Sequence, residues 1–174
     1  MFHIFIKIIA KRLTINRLSN KKTVILTPKR YTKGIDERVK IVTPESTYYF
    51  HDILIETINA YNTDEGSSAR KVHKKGECVG FIITIDDKRI YFSGDTDSIP
   101  EMKDIKDIDI AIVPIGGTFT MDINEAFQAI LTINPKFVIP VHHLKTDPLC
   151  YKKKFEENTD INVIILDIGE EFRI

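Results

Sequence analysis

The stretch 89–102 constrains the fold of this chain most, because a short apolar strand ends there in a glycine turn that carries two carboxylates. Residues 90–92, Ile-Tyr-Phe, suit a buried strand. Gly94 allows a tight turn, which leaves Asp95 at the tip of the strand with its side chain directed away from it. A carboxylate in this position can bind a metal ion, so the sequence predicts a sheet with a chemically active edge.

The rest of the chain alternates between short apolar segments and turns. A helix is predicted to begin at Asp122 as N-cap, with Glu125 as its capping-box partner, and to end at Asn134. A second helix is predicted over 151–157. Hairpins come first and strand–helix–strand units follow, which indicates an α/β fold (α+β in some schemes) of packed sheets with helices outside. The predicted strands are 23–27, 39–43, two within 47–60 that are broken near His51, 80–85, 89–92, 108–113, 136–141 and 163–166.

Composition limits the class of protein. With 174 residues, of which 43% are hydrophobic, the chain suits one globular domain over 22–174, preceded by an irregular segment over 1–21. Lys plus Arg equals Asp plus Glu at 25 each, which does not favour a nucleic-acid partner. Residues 1–40 nevertheless hold 11 basic and 2 acidic side chains, which leaves open a basic arm for RNA or a membrane surface.

Two further classes of protein are disfavoured by the sequence. No stretch approaches the ~18 apolar residues of a membrane span, so no membrane protein is expected. Cys78 and Cys150 cannot form a disulfide framework, and we expect both to be buried thiols in a cytoplasmic protein.

Three side chains of metal-ligand type stand where strands or loops end. His73 lies near the end of the long polar loop 61–75, Asp95 follows one strand and His142 follows another. Imidazole and carboxylate are ligands for zinc, iron or manganese. Each residue also has an ordinary alternative role. Asp95 would form a turn, His73 would be a solvated loop histidine and His142 would be a half-buried histidine.

Three motifs together make the chain similar to the metallo-β-lactamase superfamily of metal-dependent hydrolases. They are Phe-Ser-Gly-Asp-Thr-Asp at 92–97, Val-Pro-Ile-Gly-Gly-Thr-Phe-Thr-Met at 113–121 and Val-Ile-Pro-Val-His-His at 138–143. The resemblance implies a four-layer αβ/βα sandwich with its metal site at one edge. It also implies that His73, Asp95 and His142 are the metal ligands, and that Asp95 and His142 are catalytic. Asp97 and His143 would line the substrate pocket or carry a proton.

The chain departs from that family at one important motif. The His-x-His-x-Asp-His signature, which supplies four ligands in the family, is absent, since the only histidines before residue 73 are His3 and His51. We therefore expect a domain that is shortened at its N-terminus and incomplete in its first strands.

The expected function is that of a metal-dependent hydrolase, impaired by the missing ligands. One or two ions of zinc, iron or manganese would activate water to attack a small-molecule ester, lactone or phosphodiester. The alternative is a non-catalytic remnant that acts through binding or through self-association as a homo-oligomer, because lost strands would expose a sheet edge.

Overall fold

The computed structural model describes residues 19–32 and 38–174, and these residues form a mixed sheet with helices packed against it. Almost all of the predicted irregular segment 1–21 lies outside the described residues. Seven strands form the main sheet in the order β3-β4-β5-β6-β7-β8-β9. They are β3 (Thr47–Phe50), β4 (Ile53–Asn59), β5 (Val79–Ile85), β6 (Lys88–Phe92), β7 (Ile110–Pro114), β8 (Phe137–Val141) and β9 (Asn162–Val163).

A second sheet of two parallel strands precedes the main one. It pairs β1 (Ile25–Thr27) with β2 (Val39–Ile41). A short 3-10 helix, Lys29–Tyr31, follows β1. In that helix the guanidinium of Arg30 donates to the Val72 carbonyl oxygen at 3.1 Å, which attaches this turn to the loop that carries His73.

The pairing direction changes in the middle of the main sheet. Strands β3 to β6 pair antiparallel, and the predicted hairpin breaks occur at residues with positive φ, including His51 at 56° and Asp86 at 48°. Strands β6, β7, β8 and β9 are parallel. The carboxyl ends of parallel strands meet at one edge of a sheet, so the segments after Phe92, Pro114 and Val141 are brought together there.

The two helices are α1 (Ile123–Ile133) and α2 (Pro148–Glu156). Their buried faces are held together by aromatic contacts, with the Phe127 and Phe155 rings 4.7 Å apart edge to face. Tyr151 and Phe155 are fully buried. This packing against the parallel strands is the α/β arrangement that the order of elements predicts.

The predicted start of α1 and its cap by the Asp122 carboxylate are confirmed, but the prediction that Glu125 completes the capping box is wrong. The Asp122 side chain accepts from the Glu125 N–H at 2.9 Å, whereas the Asp122 N–H donates to the Ser67 hydroxyl at 2.8 Å. The Glu125 carboxylate instead accepts from Ser67 N–H at 2.8 Å and Ser98 N–H at 2.9 Å. A tertiary contact therefore takes the place of the local one.

Other details also differ from the sequence-based predictions, and the first two strands, at Ile25–Thr27 and Val39–Ile41, are each two residues shorter than predicted. The final strand has two residues instead of four, and α2 begins three residues earlier because Pro148 occupies its first turn and Asp147 caps it at 2.9 Å. Cys78 is buried as predicted, but Cys150 is exposed on the surface of α2. Among the described residues, no helix is both long and apolar enough to cross a bilayer.

Candidate metal centre at the carboxyl ends of the parallel strands

Asp95 lies just beyond β6 and its carboxylate is at the centre of the candidate site. Gly94 has φ of 68°, and a Cβ atom there would be 2.9 Å from the Val79 carbonyl oxygen, so the turn needs a glycine. The Asp95 side chain is 17% exposed. It is therefore mostly shielded from water while its oxygens face two imidazoles.

His142 is bonded directly to this carboxylate. Its Nδ1 lies 3.0 Å from Asp95 Oδ1, and the hydrogen bond raises the pKa of His142 above its ordinary value, although partial burial acts in the opposite direction. His142 has φ of 50°, an uncommon conformation for a residue with a side chain. The main chain therefore turns abruptly after β8 and brings the imidazole to Asp95.

His73 approaches the carboxylate from the other side. Its Nε2 lies 3.7 Å from Asp95 Oδ2, which is too long for a hydrogen bond. Its Nδ1 is buried and has no hydrogen-bond partner among the described residues. A buried nitrogen without a partner is costly, and the described residues hold three further buried side-chain atoms in this state, on Thr84, Arg89 and Tyr91. The loop thus holds a buried imidazole whose hydrogen-bonding capacity is unused.

His73, Asp95 and His142 have the chemistry of metal ligands, and their spacing approaches that of a metal site only in pairs. Two atoms that bind the same zinc ion, each at about 2.1 Å, lie roughly 3 to 3.5 Å apart. The separations of Asp95 from His142 and His73, 3.0 and 3.7 Å, are close to this range. Within 19–32 and 38–174, however, no group of three or more His, Cys, Asp or Glu side chains is placed so that it could hold a metal ion. The structure therefore supplies two histidine–carboxylate pairs that share Asp95, and the assignment of His73, Asp95 and His142 as ligands stays a prediction.

Asp97 and His143 have different surroundings from these three residues. Asp97 has no exposed surface, and its carboxylate accepts from the Ser68 hydroxyl at 2.8 Å and the Lys71 ammonium at 3.1 Å. His143 is half-buried, and its Nε2 lies 2.7 Å from the Pro140 carbonyl oxygen. A carbonyl can only accept, so this nitrogen carries the proton and Nδ1 of the neutral ring is the basic one.

Other residues around the site had no role assigned from the sequence. Asn62 bonds to the main chain of His73, and Gly116 lies against the main chain of His142. Tyr31 lies 3.5 Å from the Cys78 sulfur, and burial together with this thiol raises the pKa of Tyr31 to about 12. Of these, only Gly116 had a local signal, in the Gly-Gly pair that follows β7.

Comparison with known proteins identifies the family. Residues 18–142 match the family model described as a beta-lactamase superfamily domain. A UPF0173 metal-dependent hydrolase of Methanosarcina mazei is 32% identical over 150 residues, which are 82% of this chain and 60% of that protein. A second UPF0173 metal-dependent hydrolase, from Desulforamulus reducens, is 34% identical over 122 residues, which are 66% of this chain and 54% of the relative. The chain thus spans little more than half the length of these curated relatives.

Solved structures confirm the fold that the three motifs predicted. A protein from Parabacteroides distasonis, whose structure carries the name of a metal-dependent hydrolase, superposes with a TM-score of 0.81 at 32% identity, over 89% of this chain and 69% of that one. The metallo hydrolase Igni18 of Ignicoccus hospitalis gives a TM-score of 0.71 at 24% identity, over 93% of this chain and 73% of its own, and shares the fold. The chain therefore belongs to the β-lactamase superfamily, with the UPF0173 metal-dependent hydrolases among its relatives.

Proposed function

We propose that this protein is a metal-dependent hydrolase in which His73, Asp95 and His142 hold one or two metal ions. The observation that carries the proposal is the Asp95 carboxylate between two imidazoles, 3.0 Å from His142 and 3.7 Å from His73. Imidazole and carboxylate suit zinc, iron or manganese.

The residues around Asp95 have separate roles in this proposal. The bound ion would supply a nucleophilic water at neutral pH and polarise the oxygen of the bond to be cleaved. In the metal-free protein His142 donates from Nδ1 to Asp95, which holds these two proposed ligands next to each other. His143 accepts a proton at Nδ1, and it suits this role better than Asp97, whose buried carboxylate is already surrounded by donors. The substrate is a small-molecule ester, lactone or phosphodiester.

We further propose that activity is impaired in this chain. A catalytic zinc site usually has three protein ligands and an open position for water. The chain has three candidate ligands for one or two ions, and it lacks the His-x-His-x-Asp-His motif that would supply four more. Weak metal binding and slow hydrolysis follow from this shortage. The two free thiols, Cys78 and Cys150, are in keeping with a reducing cytoplasm.

A non-catalytic role through self-association is the competing function, and one observation favours it. Strand β3 is an edge strand of the described seven-stranded sheet, and its Tyr49 is 74% exposed. Unpaired edges with exposed aromatic side chains are suited to pairing with a second copy of the chain.

Metal content per chain tests the proposal directly. The purified protein is analysed for zinc, iron and manganese after gel filtration, together with Asp95→Asn and the control Asp104→Asn, which changes an exposed carboxylate outside the site. We expect metal in the parent and the control and its loss from Asp95→Asn, with ester, lactone or phosphodiester hydrolysis following the same order. Metal-free protein that elutes as a dimer would contradict the hydrolase and support self-association.

A further inference from the structure

Asn62 lies at the start of the loop that carries His73 and binds the other end of that loop. Its side-chain oxygen accepts from the Val72 N–H at 3.0 Å and from the His73 N–H at 2.9 Å. The main-chain N–H of Asn62 donates to the His73 carbonyl oxygen at 2.9 Å. One asparagine therefore contacts the main chain of His73 on both its N–H and its carbonyl side.

The same side chain is bonded to the segment that carries Asp95. The Asn62 amide nitrogen donates to Asp97 Oδ1 at 3.2 Å and to the Phe119 carbonyl oxygen at 3.0 Å. Asp97 is only two residues beyond Asp95, and its N–H donates to the Tyr61 carbonyl oxygen at 2.9 Å. A continuous set of hydrogen bonds thus connects the main chain of His73 to Asp97, two residues beyond Asp95.

Asp97 is a buried charge that the loop fully surrounds. The Thr63 N–H donates to it at 2.9 Å, in addition to the Ser68 hydroxyl, the Lys71 ammonium and the Asn62 amide. A buried carboxylate is tolerated only when donors of this kind replace water, so its presence obliges the loop to keep one conformation. The loop is also attached through the Ser67 N–H to Glu125 and through the Ala69 and Arg70 N–H groups to the Gly117 and Thr118 carbonyl oxygens.

We propose that Asn62 and Asp97 are a positioning pair that sets the distance between the His73 imidazole and the Asp95 carboxylate. Neither residue contacts the metal or the substrate in this assignment. Asp97 holds the Asn62 amide in one orientation together with the Ser68 hydroxyl and the Phe119 carbonyl oxygen, and Asn62 in turn holds the main chain of His73. The metal-binding purpose of the arrangement rests on the proposed function, but the mechanical link does not.

The test uses amide hydrogen exchange on the metal-free protein, with zinc affinity as a second readout. In Asn62→Ala the His73 amide loses its acceptor, whereas the Val72 amide keeps the Arg70 carbonyl oxygen at 3.2 Å. We expect both amides to exchange faster, and His73 by about tenfold, as for one lost hydrogen bond. Amides of β4 and β5 should keep their rates. The control Ile83→Val trims a buried core residue away from the loop and should lower stability without a selective effect on these two amides.

Exchanging the residue types at positions 62 and 97 tests whether the contact between these two side chains holds His73. Asn62→Asp alone places two carboxylates together, and Asp97→Asn alone removes the buried charge, so each should loosen His73. The double variant Asn62→Asp with Asp97→Asn restores one acceptor and one donor, and we expect it to recover His73 protection in part. Unchanged exchange at His73 in Asn62→Ala, or a double variant no better than either single one, would overturn the proposal.

Zinc titration separates this inference from the proposed function. If the parent binds zinc, we expect Asn62→Ala to bind it about tenfold more weakly. If the parent binds no zinc but Asn62→Ala selectively loosens His73, the hydrolase proposal fails and the positioning pair stands. If zinc binds equally to both proteins and exchange is unchanged, the positioning pair alone fails.

Discussion

Gly116 lies directly against the main chain of His142. The approach is so close that a Cβ atom built on Gly116 would be 2.4 Å from the His142 carbonyl oxygen. The Leu144 side chain closes the same space, 3.1 Å from that Cβ position. The residue after β7 thus fits against the turn after β8, where His142 and Leu144 both have positive φ. Close approach of two main chains at this point allows His142 to reach Asp95.

Replacement of Gly116 by alanine should therefore displace His142. No real Cβ tolerates a contact of 2.4 Å with a backbone oxygen, so the turn must move, at a cost of about 1 to 3 kcal/mol in the free energy of unfolding. We expect weaker zinc binding by isothermal titration in Gly116→Ala. Ile115→Val, a buried truncation one residue away, should lose about 0.5 to 1.5 kcal/mol of stability and keep its zinc affinity. Equal affinity in the two variants would contradict this account.

Glu125 should contribute to stability through the loop and not through its own helix. Its carboxylate accepts the N–H groups of Ser67 and Ser98, and alanine would leave both without that acceptor, which costs about 2 kcal/mol. Urea unfolding of Glu125→Ala measures this loss. Gln128→Ala, on the exposed face of the same helix, should change stability by about 0.5 kcal/mol or less. A similar small effect for both would show that the Glu125 contacts are of no consequence.

Stability should depend on pH through Asp109. The hydrogen bond from Lys136 at 2.7 Å, with a second from the Arg89 N–H at 2.9 Å, holds the pKa of Asp109 below its ordinary value. The unfolded chain therefore binds a proton more readily, so this stabilisation is complete above the unfolded pKa of about 3.9 and is lost as pH falls through the lower folded value.

The variant Asp109→Asn tests the direction of this pH dependence of stability. At pH 7 we expect it to be about 1 kcal/mol less stable, a modest value because the Lys136 side chain is 71% exposed and water screens the pair. The difference from the parent should shrink in urea unfolding as pH is lowered from 5 to 3. If the difference in the free energy of unfolding between parent and variant stays constant over this pH range, the charge of Asp109 is not the stabilising feature.

The two cysteines should differ in reactivity towards a water-soluble thiol reagent. Cys150 is exposed on α2, whereas Cys78 is 6% exposed, with Tyr31 3.5 Å from its sulfur. We expect one fast thiol per folded chain and a second only after denaturation. Cys150→Ser should abolish the fast reaction, and Cys78→Ser should leave it intact. Two fast thiols in the native protein would contradict the burial of Cys78.

Most strands and the main helix could be predicted from the sequence because their signals are local. The break at His51, the turn at Asp86 and the start of α1 at Asp122 were found from residue types that favour those conformations. The partners of Glu125 could not be found in this way, because Ser67 is 58 residues away in the chain. Cys150 was misplaced for a related reason, since a lone apolar-type residue does not show which face of a short helix it occupies.

The sequence by itself determined which residues could carry chemistry: His73, Asp95 and His142 stand at strand or loop ends within motifs that are legible without a structure. The tertiary structure decided which of their neighbours support them. The parallel pairing of β6, β7 and β8 brings Gly94, Gly116 and His142 to one edge, and loop contacts join Asn62 to Asp97 across 35 residues of chain. Local residue preferences act over a few positions, whereas burial and hydrogen bonding are settled only when distant segments pack together.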